Sequence, residues 1–286
     1  KTRPSLCHLM KLIYTDDGSV TLHNDEYNEA YHSWGGALLE SQQIYFEGCR
    51  VLEKARSKNT ISVLDIGFGL GYNAFYTIYE IRRKAPQCFF KIISLEKDPG
   101  ILSFSDYPEE IKSIACEIKK NWKKMDHQYL YQTQNLEFRL LIGDARKSLQ
   151  SISSTFDVVY LDPFSPQKNP ELWTEDFFKL LYRRIEMDGF LATYSISTPV
   201  LVGLINAGFH PYLIDAPKKK RYATIASPKK IGDLPEKFEK KLETSPERLP
   251  FRDPNLDLEP VNIMTLRGQR KTKFNTYQIP KNKNHE

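Results

Sequence analysis

The run from Val63 to Asn73 constrains the fold more than any other stretch: an apolar strand enters three alternating glycines, Gly67, Gly69 and Gly71, and a helical pattern begins at once. Gly67 and Gly69 permit positive φ and a close approach of backbone to ligand, and Gly71 lets the new helix pack tightly on the strand. The first amides of that helix would face any carboxylate or phosphate above them. A dinucleotide fingerprint would need glycine at position 72, which is Tyr72 here, so the turn points to a nucleoside-type cofactor other than NAD or FAD.

Beyond the turn, strand patterns over 62–66, 89–96, 137–142, 157–161 and 189–195 alternate with helical ones over 73–84, 109–124, 175–185 and 199–207. Such alternation predicts an α/β, Rossmann-like, doubly wound and mostly parallel sheet. A last pair, 211–214 and 222–226, brackets Lys218, Lys219, Lys220 and Arg221 and predicts an antiparallel edge hairpin with a basic loop. Ahead of the glycine turn, 10–14 and 19–22 flank Asp17-Gly18, a hairpin signal, and apolar positions from Leu38 to Leu52 recur at helical spacing. The expected layout is a hairpin-and-helix prefix over 1–60, the main domain over 61–227, and a Pro-rich, basic extension over 228–286. Six prolines between Pro228 and Pro260 mark the start of that extension as an extended linker or wrap.

Forty-one Lys and Arg against 36 Asp and Glu give a net charge of +5, and the stretch from Asn262 to Glu286 carries a surplus of that size by itself. Arg267, Arg270 and Lys271 belong to it. A basic tail suits an anionic partner such as nucleic acid. No apolar run has the roughly 18 residues needed to span a bilayer, and the Lys1 to Pro4 start has no secretion-signal character, so the cytoplasm is the expected compartment. The four cysteines form no C-x-x-C pair and the six histidines add no ligand spacing, so neither a metal nor a disulfide framework is expected.

In an open α/β sheet ligands lie outside the carboxyl ends of the strands, which gives four acids a common address. Asp65 ends the first strand of the main domain, Glu96 the second, Asp144 follows the third and Asp162 ends the fourth. Glu96 lies 25 residues after Gly71, near the usual distance for an acid that accepts two ribose hydroxyls. Asp144 is a candidate acceptor for an adenine amino group. Asp65 with the three glycines matches the Asp-x-Gly-x-Gly-x-Gly run of class I S-adenosylmethionine (SAM) methyltransferases.

Asp162-Pro163-Phe164-Ser165-Pro166 resembles the Asp/Asn-Pro-Pro-Tyr/Phe loop of amino methyltransferases. Methyl transfer needs a nitrogen lone pair in line with the sulfonium carbon, and a carboxylate can hold an amine in that line. A carboxylate of ordinary acidity is a poor base for an alkylammonium, so orientation is the expected task of Asp162. Phe164 and Trp173 are candidates for stacking on a base.

The chain resembles the methyltransferase domain of the bacterial MnmC family over roughly residues 10–227. The resemblance rests on Asp17-Gly18-Ser19, Tyr31-His32-Ser33, Gly36 to Ser41, the glycine turn, Gly143-Asp144-Ala145-Arg146, and the string Asp162-x-Phe164-x-Pro166-x-x-Asn169-Pro170-x-x-Trp173. It extends through Gly203-Leu204-x-x-Ala207-Gly208-Phe209 to Lys220-Arg221. It implies SAM as cofactor and, as acceptor, the amine of 5-aminomethyl-uridine at the tRNA wobble position. It also implies cofactor contacts from Gly67, Gly69, Glu96, Asp144 and the Tyr31 to Ser33 segment, with Asp162 facing the amine. Asp65, Gly71, Asn73 and Ala145 complete the candidate cofactor set.

Many relatives continue into a flavin-dependent oxidase domain. No second glycine loop follows Pro228, so oxidase activity is not expected and a separate tRNA-modifying enzyme would supply the precursor. With tRNA as partner, Lys168, Lys218, Lys219, Lys220, Arg221, Arg267, Arg270 and Lys271 are candidate phosphate contacts. Two alternatives stay open: an aminopropyltransferase of the spermidine synthase type, and a non-catalytic RNA-binding module on the same fold, against which Asp162 argues.

Overall fold

Val63, Leu64 and Ile66 are all buried although neighbouring strand residues point to opposite faces, which requires a sheet covered on both sides. The computed structural model describes residues 11–217 and 222–278. Strands β1 (Leu12–Tyr14), β2 (Val20–Asn24) and β3 (Glu29–Ala30) form a small antiparallel sheet. Its first turn is held by Asp17, whose Oδ1 accepts from the Ser19 amide at 2.9 Å and the Thr15 hydroxyl at 2.8 Å. Helix α1 (Ala37–Glu40), a π-helical stretch (Ser41–Glu47) and α2 (Val51–Ser57) then lead into the main sheet.

The main domain continues as β4 (Thr60–Ile66), α3 (Tyr72–Lys84), β5 (Phe89–Glu96), α4 (Glu109–Asn121), β6 (Lys123–Met125), β7 (Gln128–Gln132), β8 (Leu136–Ile142), α5 (Ala145–Ser151) and β9 (Phe156–Leu161). It ends with α6 (Glu175–Tyr182), β10 (Ile185–Thr193), α7 (Thr198–Ala207), β11 (His210–Asp215) and β12 (Tyr222–Ser227). The nine strands lie in the order β11-β12-β10-β9-β4-β5-β8-β7-β6. Strands β10, β9, β4, β5 and β8 are parallel, while β12, β11, β7 and β6 pair antiparallel at the two edges. The chain leaves β4 toward β5 on one side and returns to β9 on the other, which opens a crevice above the carboxyl end of β4.

Two cores flank the sheet. Ile61 and Val63 pack with α3 and α4 on one face, and Leu64 and Ile66 with α5, α6 and α7 on the other. Each such buried aliphatic side chain stabilises the fold by roughly 1.5–3 kcal/mol.

Three regions depart from the sequence reading. The helix expected through Lys124 stops at Asn121 because Trp122 turns into the core, 5.8 Å from the Phe138 ring and 5.4 Å from Tyr129, and the chain pairs as β6–β7 instead. A short helix, α5, starts directly at Asp144, whose Oδ1 caps it by accepting from the Arg146 amide at 2.9 Å. The extension holds two helices, α8 (Glu236–Thr244) and α9 (Pro260–Gln278). Phe251 and Ile263 from this extension are buried in the second core, so α9 docks on the domain.

Candidate functional site

Gly67 has φ +83°, and a Cβ there would lie 2.7 Å from the Asp162 carbonyl oxygen, so only glycine lets the end of β4 approach the end of β9. Above these ends lies a cavity of about 1290 Å³, floored by Gly67, Gly69, Glu96, Gly143, Asp144, Ala145 and Asp162. The N-terminal sheet and the segment after it wall the cavity with Tyr27, Glu29, Tyr31, Ser33, Trp34 and Glu40; Glu259 and Pro260 close another side. Among the described residues nine carboxylates line it against two cations, Lys97 and Arg146. The field therefore favours a cationic occupant over a phosphate.

Asp162 lines the cavity with both carboxylate oxygens anchored from behind. The Tyr45 hydroxyl donates to Oδ1 at 2.5 Å, and Asn73 Nδ2 donates to Oδ2 at 2.8 Å. Ser41 Oγ in turn donates to Asn73 Oδ1 at 2.7 Å, which fixes the amide's orientation. Burial first, then the adjacent Asp162 carboxylate, push the Tyr45 hydroxyl well above the ordinary phenol range, so it remains a donor. The loop after Asp162 is pinned as well. Tyr194 donates to the Pro163 carbonyl at 2.9 Å, and Glu29 accepts from the Ser165 amide at 2.9 Å and from its hydroxyl. Phe164 stacks on Tyr27 with centroids 4.3 Å apart and packs tilted on Tyr31 at 5.0 Å.

Glu96 is pinned by three backbone amides: Lys97 and Asp98 donate to Oε1, and Gly69 to Oε2, all at 2.8 Å. Burial pushes its carboxyl above the ordinary value, against the pull of those amides. Burial alone would raise Asp144 too, but the side chain and amide of Arg146 hold it below its ordinary value. Arg146 Nη2 donates to Asp144 Oδ2 at 2.7 Å, while Nη1 reaches Asp253 Oδ2 at 2.7 Å and the Leu258 carbonyl at 2.9 Å. The cavity wall at Asp144 is thus tied to the extension. Tyr31 accepts from Asn24 at 3.1 Å, and Ser33 donates to Glu40 at 2.7 Å.

Several candidate residues lie elsewhere than expected. Asp65 does not line the cavity: it is buried, accepts from Ser94 Oγ at 2.7 Å, and its Oδ1 has no partner among the described residues. Burial raises its carboxyl to about 8, helped by the charges of Asp162 and Glu96. Gly71 sits between the Phe68 and Phe75 rings and Asn73 behind Asp162, so these two support the site without facing the cavity. Trp173 is wholly buried and donates to the Phe164 carbonyl at 2.8 Å, which removes it from base stacking.

The expected phosphate contacts fare similarly. Arg267 is buried, donates to the Leu249 carbonyl at 2.8 Å, pairs with Glu247 at 2.8 Å and lies 4.7 Å above the Phe251 ring. Arg270 donates to the Pro250 carbonyl at 2.8 Å, and Lys271 pairs with Glu247. These three cations fasten α9 to the 247–251 segment instead of presenting a free basic surface. Lys168 is exposed beside the site, and Lys218, Lys219, Lys220 and Arg221 lie outside the described residues.

Sequence reasoning missed Tyr45, Glu29, Glu40 and Asp253. Tyr45 sits in an apolar helical run and gives no local sign of reaching Asp162, 117 positions away. Among the described residues, no helix is long and apolar enough to cross a membrane and no cluster of His, Cys, Asp and Glu could hold a metal ion.

Residues 108–228 match a family described as S-adenosyl-L-methionine-dependent methyltransferase. The tRNA 5-methylaminomethyl-2-thiouridine biosynthesis bifunctional protein MnmC of Azoarcus sp. is 32% identical over 208 residues, covering 69% of this chain and 32% of that protein. The chain therefore spans about a third of the length of the MnmC relatives it matches. An uncharacterized protein of Methanocaldococcus jannaschii is 29% identical over 271 residues, 92% of this chain and 73% of that one. The crystal structure of MnmC2 from Aquifex aeolicus superposes with a TM-score of 0.83 at 34% identity, covering 92% of this chain and 85% of that chain.

Proposed function

The chain belongs to the MnmC methyltransferase family and is a SAM-dependent methyltransferase; on that premise we propose that it methylates the primary amine of 5-aminomethyl-uridine at the tRNA wobble position. The observation that carries this reading is Asp162: a carboxylate at the cavity floor, beside the Gly67 turn, with both oxygens held by Tyr45 and Asn73.

The cavity suits SAM on its own terms. Close packing at Gly67 keeps side chains out of the crevice, and the surplus of carboxylates favours a cation. Gly67, Gly69, Glu96, Asp144 and Ala145 would hold the nucleoside, with Tyr31, against Gly69, and Ser33 on the N-terminal wall. When bound, SAM supplies an electrophilic methyl carbon on a sulfonium. Asp162 accepts an N–H of the acceptor amine and so turns the nitrogen lone pair toward that carbon, a contribution of positioning. Tyr45 and Asn73 prevent the carboxylate from rotating to follow the amine. Glu29 and Tyr194 clamp the surrounding loop and hold its backbone in place at the acceptor end.

The test incubates the protein with methyl-labelled SAM and tRNA bearing 5-aminomethyl-uridine, followed by mass analysis of the wobble nucleoside. One added methyl on the exocyclic nitrogen is expected; unmodified tRNA despite measurable SAM binding refutes the reading. Asp162→Ala should lose turnover and keep SAM affinity, whereas Glu96→Ala should weaken SAM binding. Putrescine in place of tRNA is a control that should take no label.

A further inference from the structure

Eight large apolar side chains stand exposed among the described residues, and of these Trp34 alone lines the cavity. The residue is 59% exposed. No aromatic ring packs on it among the described residues, yet its backbone is held firmly. The Asp16 amide donates to the Trp34 carbonyl at 2.9 Å, and the flanking Gly35 amide donates to Ser33 Oγ at 3.3 Å. A wide, flat ring with no aromatic partner among the described residues, on a fixed backbone, loses little freedom when something stacks on it.

Charge determines what that partner can be. Carboxylates dominate the cavity, and the tail cations Arg267, Arg270 and Lys271 are engaged with the 247–251 segment. Among the described residues the cavity lining itself therefore receives a phosphate poorly, while a nucleobase is flat and uncharged. Building on the tRNA reading above, we propose that Trp34 is a stacking surface for an anticodon-loop base next to the uridine whose arm enters the cavity. Stacking of this kind tolerates any base and supplies affinity without a cation.

Trp34 is also its own reporter. Trp173 is buried, and Trp122 is packed among Phe68, Tyr129 and Phe138, so Trp34 is the exposed emitter. In the full chain, titration with tRNA bearing 5-aminomethyl-uridine should quench exposed tryptophan emission, and Trp34→Phe should abolish that quench while keeping kcat/KM within a few-fold. Trp34→Ala should lower kcat/KM for tRNA by about 10- to 100-fold, through KM, with SAM affinity unchanged. Wild-type kcat/KM in Trp34→Ala overturns the proposal. So does an equal loss of SAM affinity, which would assign the indole to the cofactor. A wild-type chain that methylates no tRNA overturns the parent reading and this one together, whereas the two preceding results overturn this one alone.

Discussion

Asp253→Asn tests whether the C-terminal segment is part of the cofactor site. Arg146 is buried between Asp144 and Asp253, and Asp253 itself is fully buried. Asp253 Oδ1 accepts from the amides of Asp257 and Leu258 at 3.1 and 3.0 Å, and Oδ2 accepts from Arg146 Nη1 at 2.7 Å. An asparagine must therefore turn its amide NH₂ either toward the guanidinium or toward the two backbone N–H groups, and each choice sets donor against donor. Removing one charge of a buried pair costs about 3–5 kcal/mol. A 286-residue chain has an unfolding entropy of about 0.6 kcal/mol/K, so Tm should fall by about 5–8 °C. Because Glu259 and Pro260, just past the anchored Leu258, line the cavity, SAM affinity should fall with it. Thermal melts with and without SAM, and a SAM titration below the transition, measure both effects. A variant that melts within about one degree of wild type and binds SAM equally would refute the coupling.

Tyr45→Phe removes a charge-assisted hydrogen bond to Asp162, worth about 1.5–3 kcal/mol, and should lower kcat at least about tenfold with SAM affinity intact; unchanged kcat would show that Asp162 needs no such anchor. The Asp65 carboxyl titrates near 3.8 when unfolded and near 8 when folded, so its contribution to stability is fully present below pH 3.8 and is lost as pH rises toward 8. Asp65→Asn cannot ionise, so its Tm relative to wild type should climb across that window and level off above it; a pH-independent difference would contradict the assignment. Arg267→Ala should destabilise the fold by about 1–3 kcal/mol in chemical denaturation. The same variant should leave the salt dependence of tRNA binding unchanged, whereas a lost phosphate contact would change its slope by about one.

What could be read along the chain was whatever neighbouring residues determine. The strand-to-helix turn at Gly67, the alternation of β and α, and the hairpin β11–β12 each depend on local backbone conformation and hydrophobic period. The family strings around Asp144 and Asp162 were legible for the same reason, since each is contiguous. Trp173 belonged to one of those strings, yet its fate was a matter of packing: the ring fills the second core and secures the Phe164 carbonyl.

Side-chain fate depends on partners far away in sequence, and only the closed fold supplies them. Arg267, Arg270 and Lys271 look alike as tail cations until Glu247 and the carbonyls of residues 247, 249 and 250 arrive beside them. Asp65 and Asp162 are both acids at strand ends; one faces away from the cavity and, among the described residues, gains only the Ser94 side chain, the other meets Tyr45 and Asn73 at its floor. The sequence by itself determined where strands end and where backbone can approach a ligand, because those are short-range steric choices. The tertiary structure alone decided which charges stay free, because desolvation and pairing are settled by residues about a hundred positions apart, Arg146 and Asp253 among them.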